Sequence, residues 1–414
     1  MVDFRNLVLV FCYIFGFRFY GEIPFDSTML VGSLMVIYAI THKDFFEICI
    51  DELSKKYNLK IFFLYIAINC WACLCLIINQ STDITFMITF LHMFAVVCIG
   101  IVLSLYFSFC KKEDMVVNYI IVAFVLQTMI EWSAFTFESF KEIINYTKSI
   151  ATIEKGVSYS SIRANALAGS DFFGLSSAFA AIYLMYFSNK NTLFKNEIYK
   201  KICFLFILSG TFFAGRAGYI GLAIGMFYLF LERIINLKYN SLYKLKINTN
   251  NIYKHITLTI LMILLIIVMV REYSTNDKLE QLLYFTFQSI FLYIEKGSFM
   301  TSSLNKLSDM YFEIPIYTLI HGDSLYIVDG GRYYMSTDVG YMRTILYMGI
   351  IGLVLLIYMQ ILILNIKYSK EKILKGCLLM LILILNFKGE TIVWNQILVS
   401  VVVLYSYNNL IFKK

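Results

Sequence analysis

Apolar runs recur along the whole chain, at about 4–20, 27–41, 60–79, 84–109, 115–135, 167–188, 202–214, 217–232, 255–270, 340–366, 373–387 and 391–411. One helical crossing of a bilayer core takes about 20 apolar residues, and backbone placed there satisfies its hydrogen bonds as a helix or a closed barrel. Only two prolines, Pro24 and Pro315, interrupt the 414 residues, so nearly every run can be an unbroken helix. A content of 59% hydrophobic and 15% charged residues suits lipid as solvent. Soluble globular chains carry about 25% charged residues, so a soluble enzyme, a disordered chain and a nucleic-acid-binding module all fit poorly. The expected fold is an all-α polytopic membrane protein, one integral domain over 1–414 with about twelve transmembrane helices.

The basic residues orient the helices. With the N-terminus inside, one side receives Arg5, Lys43, Lys55, Lys56, Lys60, Lys111, Lys112, the lysines of 190–254 with Arg233, and the lysines of 367–375 and 413–414. That is 22 of the 35 Lys and Arg. Most of the remainder falls in two long loops, where the positive-inside rule carries little weight. Twelve spans with both termini cytoplasmic satisfy this pattern, with the short pair 202–214 and 217–232 as an alternative re-entrant unit. Residues 43–57 put Phe45, Phe46, Cys49, Ile50, Leu53 and Tyr57 on one helical face, which predicts an interfacial helix. No cleavable signal peptide is evident, because Arg5 and the run after it lack a small-residue cleavage site. Cys70, Cys73 and Cys75 sit among Trp71, Ala72 and Leu74 with no His or carboxylate nearby, so a lipid-buried helix is expected there rather than a metal cluster.

The outer face receives a loop at 136–166, a long loop at 271–339 and the turn Lys388-Gly389-Glu390. In the long loop Leu279, Leu282, Leu283, Phe287, Ile290, Phe291 and Ile294 recur at helical spacing, which predicts an amphipathic helix on the membrane surface. A Gly- and Tyr-rich stretch follows Pro315. Loops longer than about 12–15 residues are usually functional or disordered, and the aromatics here argue for function.

Arg216, bracketed by Gly215 and Gly218 in TFFAGRAGYIGLAIG, is the sharpest local signal. A charge at membrane depth costs at least about 2.5–3.5 kcal/mol, so it is paired or functional. Guanidinium beside free backbone N–H groups suits a phosphate; the alternatives are snorkelling to the interface or pairing with Asp171. Arg163 stands at the same boundary before 167–188, where it is an interface anchor or half of a clamp on one dianionic group. Asp338 precedes the run 340–366, with Tyr341 and Arg343 one turn on. It reads as a general base or as the N-cap of that helix. His321 could replace it as base, and Arg332 could add a phosphate contact. His92, alone in an apolar helix, reads as a packed core residue. No HExxH, P-loop or GxGxxG occurs, which implies a reaction without metal, nucleotide or other cofactor.

With these residues in view, the chain resembles the Wzy-type O-antigen and capsular polysaccharide polymerases, membrane glycosyltransferases of the GT-C architecture related to O-antigen ligases. The matching pieces are Gly215-Arg216-Ala217-Gly218, Arg163 before a span, Asp338-Val339-Gly340-Tyr341 closing the long loop, and Tyr347-Met348-Gly349-Ile350-Ile351-Gly352-Leu353. The layout agrees along nearly the whole chain. Ligases typically carry a histidine where this chain has Asp338. Polymerases often have a longer arginine-containing first outer loop, whereas 136–166 has Arg163 alone. The resemblance implies en bloc transfer of a growing glycan from undecaprenyl diphosphate to a lipid-linked repeat unit, on the outer face of a bacterial cytoplasmic (inner) membrane. Arg163, Arg216, Arg332 and Arg343 would then hold the diphosphate, Asp338 or His321 would act as base, and Tyr333, Tyr334 and Tyr341 would stack on sugars. Its partners would be undecaprenyl-diphosphate-linked oligosaccharide, membrane lipid and a chain-length regulator, with no nucleic acid. A lipid-linked oligosaccharide flippase or other transporter, and an O-antigen ligase, are the competing readings.

Overall fold

The computed structural model describes residues 3–19, 25–148, 153, 166–169, 171–189, 197–239, 277–328, 331–366, 371–393 and 395–411. Arg163 and the run at 255–270 lie outside them. The described chain is almost entirely helical. Local chemistry starts the first two helices: α1 (Phe4–Phe15) is capped by the Asp3 carboxylate accepting from Arg5 N, and α2 (Ser27–Thr41) by Asp26 accepting from Met29 N. α3 (Lys43–Leu53) turns 115° away from α2 and buries Phe45 and Cys49 while its charged face stays out. Then come α4 (Lys56–Ile78), α5 (Thr85–Phe109), α6 (Val116–Thr136), the short α7 (Glu138–Asn145), α8 (Phe172–Ser188), α9 (Glu197–Ala214) and α10 (Gly218–Tyr239).

From Asp277 the chain forms α11 (Asp277–Lys296), kinked at Phe287, then α12 (Ser302–Asp309) and α13 (Ile316–His321). A two-stranded antiparallel hairpin, β1 (Ile327–Val328) and β2 (Arg332–Tyr333), pairs Ile327 with Tyr333 and Val328 with Arg332. The chain closes with α14 (Gly340–Leu364), α15 (Lys372–Leu385) and α16 (Gln396–Ile411).

The protein is an all-α membrane protein. Five helices among the described residues are long and apolar enough to cross a membrane: 56–78, 85–109, 113–136, 218–235 and 340–364, or six if the bent pair α2–α3 counts as one span. Phe4–Phe15, Phe172–Ser188 and Gln396–Asn408 are shorter apolar helices. α8 is buried along most of its length, and α10, α9, α16 and α15 all pack on it.

Hydrogen bonds define two ends of the bundle. At the lysine-rich end Tyr407 donates to Asn58 Oδ1 at 2.9 Å, Asn408 to Glu113 O at 2.9 Å and Asn189 to Asn118 Oδ1 at 2.8 Å. The opposite end holds the α4–α5, α9–α10 and α15–α16 turns, together with the segment from α12 to the start of α14.

α14 is not continuous. Met348 (φ −138°, ψ 16°) and Gly349 (φ 70°, ψ −174°) break it about 12 Å from its first residue, at 1.5 Å per residue. Three carbonyls at the break find partners outside the helix. Leu346 O accepts from Asp323 N at 2.6 Å, Tyr347 O from Ser324 N at 3.2 Å, and Met348 O from Trp71 Nε1 at 2.8 Å. Backbone buried at such a break is tolerated only when repaired in this way.

Asp83, between α4 and α5, latches the hairpin by accepting from Tyr326 N at 2.6 Å and Ile327 N at 3.0 Å. Partial burial disfavours its charge, but the hydrogen bonds from Thr85, Tyr326 and Ile327 together outweigh that and hold the carboxyl below its ordinary 3.8. A depressed pKa makes the latch complete above the ordinary value and weakens it as pH falls through the lower, folded one. Hydrogen exchange at Tyr326 and Ile327, corrected for intrinsic rates, should therefore accelerate below about pH 4. Asp83→Asn should accelerate it about tenfold at neutral pH, as expected for losing a charged acceptor.

Candidate functional site

Arg216 is set by the turn that joins α9 to α10. Gly215 takes φ +133°, a conformation open to glycine but not to residues with a Cβ. Ser176 on α8 ties both sides of the turn, donating to Gly215 O at 2.6 Å and accepting from Gly218 N at 2.8 Å. The side chain between them is half-buried. Its Nη2 donates to Ser303 Oγ at 2.8 Å, and its guanidinium carbon sits 5.4 Å from the centre of the Phe285 ring. Among the described residues no carboxylate lies within ion-pair distance of it. Burial pulls its pKa down from the ordinary value, the signature of a cation losing water without gaining an anion. The arrangement can accept an anion from outside.

Asp338 stands exposed just before α14. The N-cap of that helix is Val339, with no side-chain cap bond, so the N-cap reading of Asp338 is corrected: the chain places it one residue too early. Thr337 beside it donates to Met310 O at 3.2 Å, and Tyr311 donates to Phe387 O at 2.6 Å. Met310 closes α12, the helix whose first turn carries Ser303. Seven helical residues span about 10 Å, so Arg216 and Thr337–Asp338 are anchored at opposite ends of one short strut.

Arg343 is not a free diphosphate contact. It is 5% exposed and pairs through Nη1 with Glu390 Oε2 at 3.1 Å. Its guanidinium lies 4.2 Å from the Tyr326 ring and 3.8 Å from the Tyr333 ring. Tyr326 also donates its hydroxyl to Glu390. Burial pushes the Glu390 carboxyl above the usual carboxylate range, and the Arg343 guanidinium beside it opposes that shift. The cluster joins the hairpin, α14 and the α15–α16 turn into one body.

The expected sugar-stacking tyrosines already have protein partners. Tyr333 covers Arg343, Tyr334 donates to Asp323 Oδ2 at 3.2 Å, and Tyr341 donates to Leu383 O at 2.8 Å with its ring 4.8 Å from Phe387. Arg332 is exposed on the hairpin.

His321 closes α13 against the break in α14. Its Nδ1 meets Gly322 O at 2.9 Å, and a carbonyl can only accept, so Nδ1 is the donor. The ring stands edge-on to Tyr317 at 3.9 Å, and Tyr317 donates to Asn79 Oδ1 of the α4–α5 turn at 3.3 Å. Its contacts among the described residues thus run toward α4, not to Arg216 or Asp338. His92 was expected alone in the core. It is instead one-third exposed, 3.4 Å from Gln396 Oε1 and 3.7 Å from Asp26 Oδ2, because α2 and α16 bring polar ends against α5.

Sequence reasoning missed Asp83 and, within the outer turn Lys388-Gly389-Glu390, the role of Glu390. A signal existed for Glu390: a carboxylate between two apolar runs meets the same membrane-depth cost that singled out Arg216. Among the described residues no group of three or more His, Cys, Asp or Glu could hold a metal ion. No family model, curated protein or solved structure matches the chain.

Proposed function

We propose that this protein is a polysaccharide polymerase of the bacterial cytoplasmic membrane, with twelve crossings and both termini cytoplasmic. It transfers a growing glycan from undecaprenyl diphosphate to the terminal sugar of a lipid-linked repeat unit on the outer face. The observation that carries this reading is Arg216: a half-buried guanidinium without a carboxylate partner among the described residues, tied through α12 to Thr337, the neighbour of the exposed Asp338.

In this reading the acceptor hydroxyl oxygen bonds to the anomeric carbon as the carbon–oxygen bond to the diphosphate breaks. The diphosphate leaves with the electron pair, and Arg216, with Arg163 and Arg332 in support, stabilises its charge. The hydroxyl proton passes to the Asp338 carboxylate. Arg343 holds the fold of the site rather than the leaving group. His321, on the α4 side of α14, is the less favoured base.

The break in α14 favours a second reading, a transporter of lipid-linked oligosaccharide, since transporters place discontinuous helices at their substrate sites. The two readings separate on deletion of the gene and analysis of cell glycans. A polymerase deletion leaves single repeat units exposed on the outer face; a transporter deletion traps them on the inner face. Asp338→Asn should reproduce the polymerase phenotype, and full-length chains in that variant would remove Asp338 from the mechanism.

A further inference from the structure

From 314 to 328 the chain carries no Lys or Arg and a single carboxylate, Asp323. Its polar groups turn toward the protein. Asp323 accepts from Thr318 Oγ1 at 2.7 Å and from the Tyr334 hydroxyl at 3.2 Å, and Ser324 Oγ accepts from Asn79 Nδ2 at 3.0 Å. The backbone is served as well: Gly322 N donates to Thr318 O at 2.8 Å, Gly322 O accepts from Asn79 Nδ2 at 3.0 Å, and Ser324 O accepts from Ser81 Oγ at 2.7 Å. α13 presents apolar groups the other way, with Ile316 77% exposed, Tyr317 57% and Ile320 50%. Polar groups inward and large apolar groups outward is the arrangement that lipid selects.

The depth of α13 follows from α4 and α14. α4 has 23 residues and rises about 35 Å, slightly more than the roughly 30 Å of a bilayer's hydrocarbon core. Trp71 lies about 10 Å below the end of α4 at Ile78, and its Nε1 donates to Met348 O at the break in α14. Ile320 meets that break at the next residue, where a Cβ on Gly349 would stand 2.1 Å from Ile320 O. Ile320 therefore lies alongside the span of α4, not above it. The exposed apolar surface of the spans continues onto α13: Ile77 and Ile78 precede Asn79, which accepts from Tyr317, and Ile350 and Ile351 follow Gly349.

We propose that α13 is a re-entrant segment, inserted among the acyl chains of one leaflet, with lipid covering the face formed by Ile316, Tyr317 and Ile320. Backbone that enters a bilayer without crossing it persists only where protein satisfies its polar groups. Asn79, Ser81, Leu346 and Tyr347 do so here, and the break in α14 is the seat that lets them. The proposal needs only that α4 crosses the membrane, so it stands apart from the choice between polymerase and transporter.

The test introduces one cysteine at a time into the full-length protein in native membranes. Ile316→Cys and Ile320→Cys are exposed to a charged, water-soluble maleimide, with Lys306→Cys on the exposed face of α12 as reference. Peptide mass spectrometry separates the introduced thiol from the native ones. Both should label at least about tenfold more slowly than Lys306→Cys, because lipid excludes the reagent and suppresses the thiolate. Denaturation in dodecyl sulfate should bring all three to one rate. Labelling of either as fast as the reference in membranes overturns the proposal. Photo-crosslinking then identifies what covers the face: p-benzoylphenylalanine in place of Ile320 should form adducts with phospholipid acyl chains. Adducts to a second copy of this chain, or to another protein, overturn it.

Discussion

Arg216→Ala is expected to erase long glycan chains while the protein still inserts and folds. If Arg216 stabilises a departing diphosphate, losing it costs about 100- to 1,000-fold in transfer rate, the usual effect of removing one preorganised electrostatic partner. Its structural role is small by comparison. The side chain is half-buried and makes one hydrogen bond, to Ser303, worth about 1–2 kcal/mol, and deleting a charge at the membrane boundary eases insertion. Arg216→Lys should recover only part of the activity, because an ammonium cannot present two parallel N–H groups to a phosphate. The measurement is the ladder of glycan lengths beside the amount of folded protein in the membrane. A normal ladder in Arg216→Ala would sink the assignment. The same ladder would weaken the polymerase reading as a whole, since Arg216 is the observation it rests on.

The second large effect concerns packing. Gly221→Ala should destabilise the protein by about 3 kcal/mol or more, whereas Gly376→Ala should be neutral or slightly stabilising. A Cβ at Gly221 would run into the backbone of Ala180, so α8 and α10 would have to part along their whole contact. No side chain can swing aside to absorb the clash. Small residues at a helix crossing allow this approach, and in lipid such packing supplies much of the attraction between helices. At Gly376 a Cβ would meet nothing within 4 Å, so the same substitution there leaves only the gain in helix propensity. Thermal unfolding of the two purified variants in one detergent gives the comparison directly. Similar melting temperatures would contradict the close crossing of α8 and α10. The crossing bears on the site, because α8 also supplies Ser176, which holds the turn carrying Arg216.

The legible part of the site was the part that announces itself locally. Arg216 stood out because a charge between two apolar segments has a known cost, and the flanking glycines marked a turn. Asp338 stood out by its place before a long apolar run, but its two roles could not be separated by reading: capping depends on a one-residue offset that only the backbone reveals. Arg343 misled for the opposite reason. It lies in the first turn of the helix that Asp338 precedes and carries the charge a diphosphate needs, yet its partner Glu390 comes from a different turn. The Tyr326–Glu390 contact spans 64 residues and the latch from Asp83 to Ile327 spans 244. His92 misled similarly, since Asp26 and Gln396 reach it from helices at opposite ends of the chain.

Sequence alone determined that this chain dissolves in lipid as a set of helices, and where a lone charge would be costly enough to demand a purpose. Both follow from short-range physics: hydropathy summed over one turn after another, and the price of dehydrating one ion. Tertiary structure decided which cation is already spoken for and which is open to a ligand, and which helix is broken and how its carbonyls are repaired. Those outcomes depend on groups brought together from distant parts of the chain, and no local pattern of residues encodes which of several carboxylates will reach a given arginine.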